Sequence, residues 1–227
     1  MFCGEAVIIT GASDGLGKSL AELCIAENIK VINLSRSPSD VKGIVNIACD
    51  LTNEIDIIKA VNKIKSNHNN FSALINCAGA ISVQEPNKVT YKELQQVMQV
   101  NSLAPIFLTS QLFDLIVENN ADILNVGSTV GTKAYKDQAA YVTSKWAIRG
   151  TSLYWQLELA KSKCRVIQFN VGGMETRFWE KYNNSKVDDP KDWMDTKDIA
   201  KLILDILRLP KQVEISEITI NRKGKRE

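Results

Sequence analysis

The 227-residue chain is short of the residues that mark several classes of protein. It has a single histidine, His68, set in the polar stretch from Ser66 to Asn70 that reads as a surface turn. A Ser-His-Asp hydrolase needs an imidazole inside its site, so that chemistry is not expected. Five cysteines (Cys3, Cys24, Cys49, Cys77, Cys164) are odd in number, far apart and never in a C-x-x-C pair. That argues against both a disulfide framework and a thiolate metal site. Most sit in apolar runs, where free thiols pack like small hydrophobes, as suits a reducing compartment. No apolar run approaches the ~20 residues of a membrane-spanning helix. The first strand-like run begins at Ala6, so a signal peptide is not expected and a cytoplasmic location is the default. A formal charge of +2 gives no reason to expect nucleic acid or an anionic membrane as partner. The one basic cluster, Arg222-Lys-Gly-Lys-Arg226, lies in the segment 222–227 and reads as a solvated tail.

What is present is regular alternation. Strands are expected at Ala6–Thr10, Val31–Ser35, Gly43–Asp50, Phe71–Cys77, Asp122–Gly127, Cys164–Val171 and Val213–Asn221. Between them, Leu16, Leu20, Leu23 and Cys24, then Ile57, Val61 and Ile64, recur at the spacing of one buried helix face. Continuous apolar strands separated by helices predict a single α/β domain over 1–227, a doubly wound parallel sheet of about seven strands with helices on both faces. A long helix is expected over Gln138–Ala160, and another starts near Thr196. The irregular segment 177–195 falls between strand six and that last helix, where a loop overhangs the C-terminal sheet edge that binds ligands in such folds.

The stretch TGASDGLGKS, Thr10–Ser19, has two readings. Its right half resembles the phosphate loop of a nucleotide hydrolase, with Ala12 where that pattern wants glycine and Asp50 as the best magnesium ligand. Its left half, T-G-x-x-x-G-x-G, is a dinucleotide-binding turn between a strand and a helix. Further on come Asn76-Cys-Ala-Gly79 after strand four, Asn101 in a helix, Ser128 after strand five, and Tyr141-Val-Thr-Ser-Lys145. Together and in this order these residues resemble the short-chain dehydrogenase/reductase family, from about Ala6 to about Asn221. The resemblance implies a Rossmann fold and an oxidoreductase. A second tyrosine four before a lysine, Tyr182 and Lys186, falls in the irregular segment and reads as an accident of composition.

The resemblance assigns a catalytic set of Asn101, Ser128, Tyr141 and Lys145. Tyr141 is the general acid/base, acidified by the Lys145 ammonium one helical turn away. Ser128 holds the substrate oxygen, and Asn101 kinks its helix so that a backbone carbonyl holds a proton-relaying water. The cofactor is expected to meet Gly11, Asp14, Gly15, Leu16 and Gly17 at the glycine turn, with Ser13 as an extra phosphate contact and Tyr141 and Lys145 also touching it, although Asp14 stands where the family has its other basic residue. Asp50 and Leu51 flank the adenine, Asn76, Ala78 and Gly79 the ribose side, and Gly172 and Thr176 the nicotinamide, although Val171 stands where the family has proline. At the end of strand two Ser35 and Arg36 replace the acidic residue usual for NAD, and a guanidinium suits a 2′-phosphate. NADP(H) is therefore expected over NAD(H), and no metal is.

Trp179 and Trp193, with Phe178 and Met194, flank the irregular segment. They suggest an apolar or ring-bearing carbonyl or alcohol substrate, or merely pin the loop. The alternatives to an enzyme are a cofactor-binding redox sensor of the same fold and the nucleotide hydrolase. The resemblance also implies a homodimer or homotetramer through the long helices around Asn101 and Tyr141, with Trp146, Tyr154 and Trp155 on the second of them, placed equally well for an interface or for the core.

Overall fold

The computed structural model describes residues 5–178 and 193–223. Seven strands, β1 (Ala6–Thr10), β2 (Lys30–Ser35), β3 (Val45–Ala48), β4 (Phe71–Asn76), β5 (Asp122–Val126), β6 (Val166–Val171) and β7 (Glu217–Ile220), form one sheet. Its order is β3-β2-β1-β4-β5-β6-β7 and every pairing is parallel. All seven expected strands are there, but the edges are shorter than their apolar runs. In β3 only Ile47 is buried, because nothing pairs beyond it. Val213 is held in a turn by its N–H bond to the Pro210 carbonyl, so β7 starts four residues later.

Helices α1 (Gly15–Ala26), α2 (Glu54–Asn67), α3 (Tyr91–Met98), α4 (Ala104–Gln111), α5 (Phe113–Glu118), α6 (Ala139–Glu158) and α7 (Thr196–Arg208) cover the two faces. Strand alternation divides the core. Ile8 of β1 points to the layer of Ile57, Val61, Ile64, Leu108 and Trp155. Its neighbours Val7 and Ile9 point to Leu16, Leu20, Cys24, Ile199 and Ile203. Burial on both faces is why these strands read as unbroken apolar runs.

At the N-terminal edge of the sheet a buried ion cluster joins β5, β6 and α7. Arg165 bonds Asp122 at 2.6 Å and also donates to the carbonyls of Leu207, Leu209 and Val213, taking up free acceptors at the end of α7. Lys211 reaches the same carboxylate at 2.6 Å. At the opposite edge the chain passes from β1 outward and returns to β4, so the loops after these neighbouring strands diverge. A crevice opens there, at the switch point of the topology.

Candidate active site

The glycine turn lies at one end of a cleft of about 540 Å3. Thr10 ends β1 with its hydroxyl accepting from the N–H groups of Cys77 and Ala78, both at 3.0 Å, which draws the loop after β4 against the turn. Gly15 has φ +52°, a left-handed backbone that favours glycine, and the Thr176 methyl group lies over it. At Gly17 any side chain would collide with the Gly11 carbonyl, so the turn and α1 touch through backbone alone. Gly11, Ser13, Asp14, Gly15, Leu16 and Gly17 all line the cleft. A helix N-terminus leaves its first amides unpartnered inside the helix; here Asp14 caps that of Gly15 at 2.9 Å. Its carboxylate is paired with Arg177 at 3.2 Å, across the mouth of the cleft. The tight turn, the amides and the positive helix end fit a pyrophosphate.

Lys18 and Ser19, on which the phosphate-loop reading depends, are not among the lining residues. Lys18 pairs with Asp40 at 2.7 Å and the Ser19 hydroxyl bonds that of Thr196 on α7. Asp50 is bonded to the Thr52 N–H and hydroxyl rather than poised for a metal. Among the described residues no group of three or more metal-ligating side chains is found.

Ser128, Tyr141 and Lys145 line the same cleft, on its floor and one wall. Tyr141 and Lys145 project from the first two turns of α6, and both are buried. The Lys145 ammonium lies 5.7 Å from the Tyr141 ring centre and donates to the Val126 carbonyl at 2.9 Å. Burial dominates both groups. It pushes the phenol up to about 12, against a hydrogen bond from Ser128 that lowers it. It pulls the lysine down to about 8. Desolvation of the buried phenol is thus the largest influence on it.

Asn101 does not line the cleft. It sits in a π turn, Gln99–Leu103, between α3 and α4, and this widened turn is the local form of the expected kink. Its amide clasps both backbone groups of Ala80 at 2.7 Å and donates to Ser144 at 2.9 Å. Ser144, 0% exposed, passes the bond on to the Tyr141 carbonyl. Asn101 thus holds the loop after β4 and the first turn of α6 together. Sequence reasoning missed Ser144; its place inside the Tyr141–Lys145 motif was the available signal.

At the other end, Ser35, Arg36, Asp50 and Leu51 line the cleft, as do Ala78 and Gly79. The Ser35 hydroxyl donates to the Ser37 carbonyl and accepts from buried Asn33, whose amide oxygen also takes the Ala12 N–H. Asn33 was not singled out, because its bonds reach across strands. Arg36 is exposed. Asp50 is held below the usual carboxylate range, first by the Thr52 N–H and also by the charge of Arg36. Asn76 is not a lining residue: it is buried, its amide donating to Asn125 at 2.8 Å.

Gly172, Thr176, Phe178 and Trp193 line the remaining wall, with the Phe178 ring 6.1 Å from that of Tyr141. Trp179 and the second tyrosine–lysine pair lie outside the described residues. Met194 does not line the cleft; it forms a bridge with Met174 through bonds from the Glu175 N–H to the Met194 carbonyl and from the Met194 N–H to the Gly173 carbonyl. Arg222, read as part of a solvated tail, instead lies against Trp193 at 5.4 Å and lines the cleft. A run of charges gave no hint that its first member follows closely on strand β7 and turns back to the cleft.

The family model for short chain dehydrogenases matches residues 5–187. An uncharacterised oxidoreductase of Staphylococcus aureus (strain N315) is 24% identical over 223 residues, covering 94% of this chain and 95% of that protein. Among solved structures, an alcohol dehydrogenase from Thermococcus sibiricus complexed with 5-hydroxy-NADP is similar at TM-score 0.86 and 19% identity, over 98% of each chain. A 3-ketoacyl-(acyl-carrier-protein) reductase from Brucella melitensis complexed with NADH is similar at TM-score 0.86 and 22% identity, over 96% of this chain and 97% of that one. These likenesses carry the fold.

Proposed function

Because the chain belongs to the short-chain dehydrogenase family, we propose that it is an NADP(H)-dependent oxidoreductase that interconverts a carbonyl and a secondary alcohol. The observation that carries this is the grouping of Ser128, Tyr141 and Lys145 on the same cleft as the glycine turn. Bound nicotinamide supplies or takes up the hydride. The Ser128 hydroxyl donates to the substrate oxygen, and Tyr141 hands that oxygen a proton or takes it back. Lys145, whose ammonium lies 5.7 Å from the ring centre, is the cation placed to favour the phenolate. Phe178 and the buried floor keep water from the reacting carbon. Asn101 is a positioning residue in this reading, holding α6 through Ser144.

The preference for NADP(H) rests on Arg36 and on the absence of an acid at the end of β2. The proteins with similar structures carry NADP or NADH in their complexes, which supports a nicotinamide cofactor of either kind. The same reading includes a cytoplasmic protein and a homo-oligomer.

Tyr141→Phe tests the proposal: turnover of NADPH with a carbonyl panel is expected to fall at least about a hundredfold while cofactor fluorescence titration is unchanged. Retained turnover removes Tyr141 as the acid. Arg36→Asp is expected to reverse the NADPH:NADH ratio of kcat/KM, and an unchanged ratio means that the phosphate is held elsewhere.

A further inference from the structure

One buried acceptor of the cleft has no partner among the described residues. Gln138 lines the cleft beside Tyr141, and its amide oxygen is shut off from solvent without accepting a hydrogen bond. Gln138 is the N-cap residue of α6, yet its side chain makes no capping bond. An acceptor buried and unmet costs about 1–3 kcal/mol, so a folded protein that keeps one calls for a reason.

The backbone at this point carries a second local cost. Asp137, immediately before, has φ +61°, a left-handed conformation that a side chain adopts at an expense of about 1–2 kcal/mol. The Gln84 N–H holds it there by donating to the Asp137 carbonyl at 2.7 Å. Gln84 is held in turn: its amide donates to Glu93 at 2.9 Å, and Glu93 closes a capping box with Thr90 at the start of α3. A chain of bonds from α3 through the loop after β4 therefore fixes the entry to α6 and with it the direction of Gln138. Two unfavourable features side by side, three residues before Tyr141, are the signature of a binding position rather than of a packing position.

Resting on the oxidoreductase reading above, we infer that Gln138 accepts a hydrogen bond from a hydroxyl on the substrate, one or two carbons from the reacting carbon. The substrates are then hydroxyketones in reduction and vicinal or 1,3-diols in oxidation. The distance follows from α6, in which residues three apart lie about one turn, ~5 Å, from each other. The unmet atom is the amide oxygen, an acceptor, and it selects a donor. Among donors a hydroxyl fits better than an ammonium, because Lys145 and Arg222 line the same cleft and would repel a further cation.

The test uses the catalytically silent Tyr141→Phe protein saturated with NADP+ or NAD+, titrated calorimetrically with 3-hydroxy-2-butanone and with 2-butanone. The hydroxyketone is expected to bind about ten- to a hundredfold more tightly. Adding Gln138→Leu should bring the two affinities within about twofold, while Gln138→Glu, which keeps an acceptor, should retain the preference. Equal affinities before Gln138 is changed, no binding of either ketone, or a preference that survives Gln138→Leu overturns the inference. Failure of the underlying reading shows separately, as the absence of cofactor binding by nicotinamide fluorescence or as undiminished turnover by the Tyr141→Phe protein.

Discussion

Lys145 brings an ammonium into a space where burial lowers its pKa to about 8, against an ordinary 10.5. Below pH 8 both the folded and the unfolded chain carry the proton, and the folded state bears the whole desolvation cost, on the order of 3 kcal/mol. Between pH 8 and 10.5 only the unfolded chain keeps it, so this residue makes stability rise with pH across that window. Tyr141, raised to about 12, acts the other way between pH 10 and 12. Lys145→Met should therefore stabilise the cofactor-free protein at pH 7. Loss of the bond to the Val126 carbonyl returns about 1 kcal/mol, leaving a net gain of about 2 kcal/mol, or roughly 4–8 °C in Tm. Thermal unfolding at pH 7 and pH 10 checks this; a lower Tm for the variant at pH 7 would contradict it. The spacing of Tyr141 and Lys145 was legible in the sequence because a helix makes four residues one turn. The depth at which the pair is buried was not, since it depends on how much protein surrounds it. Asn33, Ser144 and Gln138 escaped notice for a related reason: each matters through a partner, or the lack of one, contributed by a distant segment.

Among the elements, the seven strands and helices α1, α2, α6 and α7 were legible in the sequence, whereas α3, α4 and α5 were not delimited beyond a helix at Asn101. The departures among the strands lie at sheet edges, where pairing rather than hydrophobicity decides length. The ion cluster of Asp122, Arg165 and Lys211 was invisible in the sequence because its main partners are 43 residues apart. It lies at the edge of the sheet away from the cleft, where it fastens the end of α7 to β5 and β6. Removing one member leaves a buried charge unmatched. Asp122→Ala is expected to cost about 3–5 kcal/mol in chemical denaturation, with KM for cofactor unchanged in the fraction that remains folded. A loss below 1 kcal/mol would mean that Lys211 and the carbonyls of α7 suffice without the carboxylate. α3 and α6 behave differently: they meet through Asn101, Ser144 and the loop carrying Ala80 and Gln84, so their relative placement sets the geometry of the cleft.

For the whole molecule, α6 presents Trp146, Leu153, Tyr154 and Leu157 to the surface, and Leu103 of the π turn is exposed as well. Trp155, for which core and interface were equally open, packs into the core against Phe113 at 5.7 Å. Exposed large apolar side chains along one long helix support the proposed homo-oligomer. Light scattering at micromolar concentration should give a multiple of the 25.2 kDa subunit mass, and Leu153→Glu with Leu157→Arg should reduce it to one. A single-subunit mass for the unaltered protein removes the proposal. Among the described residues no helix is long and apolar enough to cross a membrane. The bridge between Met174 and Met194 has a consequence at this scale too. Because the chain between the two methionines is anchored at one paired point, lengthening it twofold adds only about 0.6 kcal/mol of closure entropy. Whatever chain is spliced between those two methionines meets an anchor already closed by backbone bonds, so its length can change without rebuilding the sheet beneath.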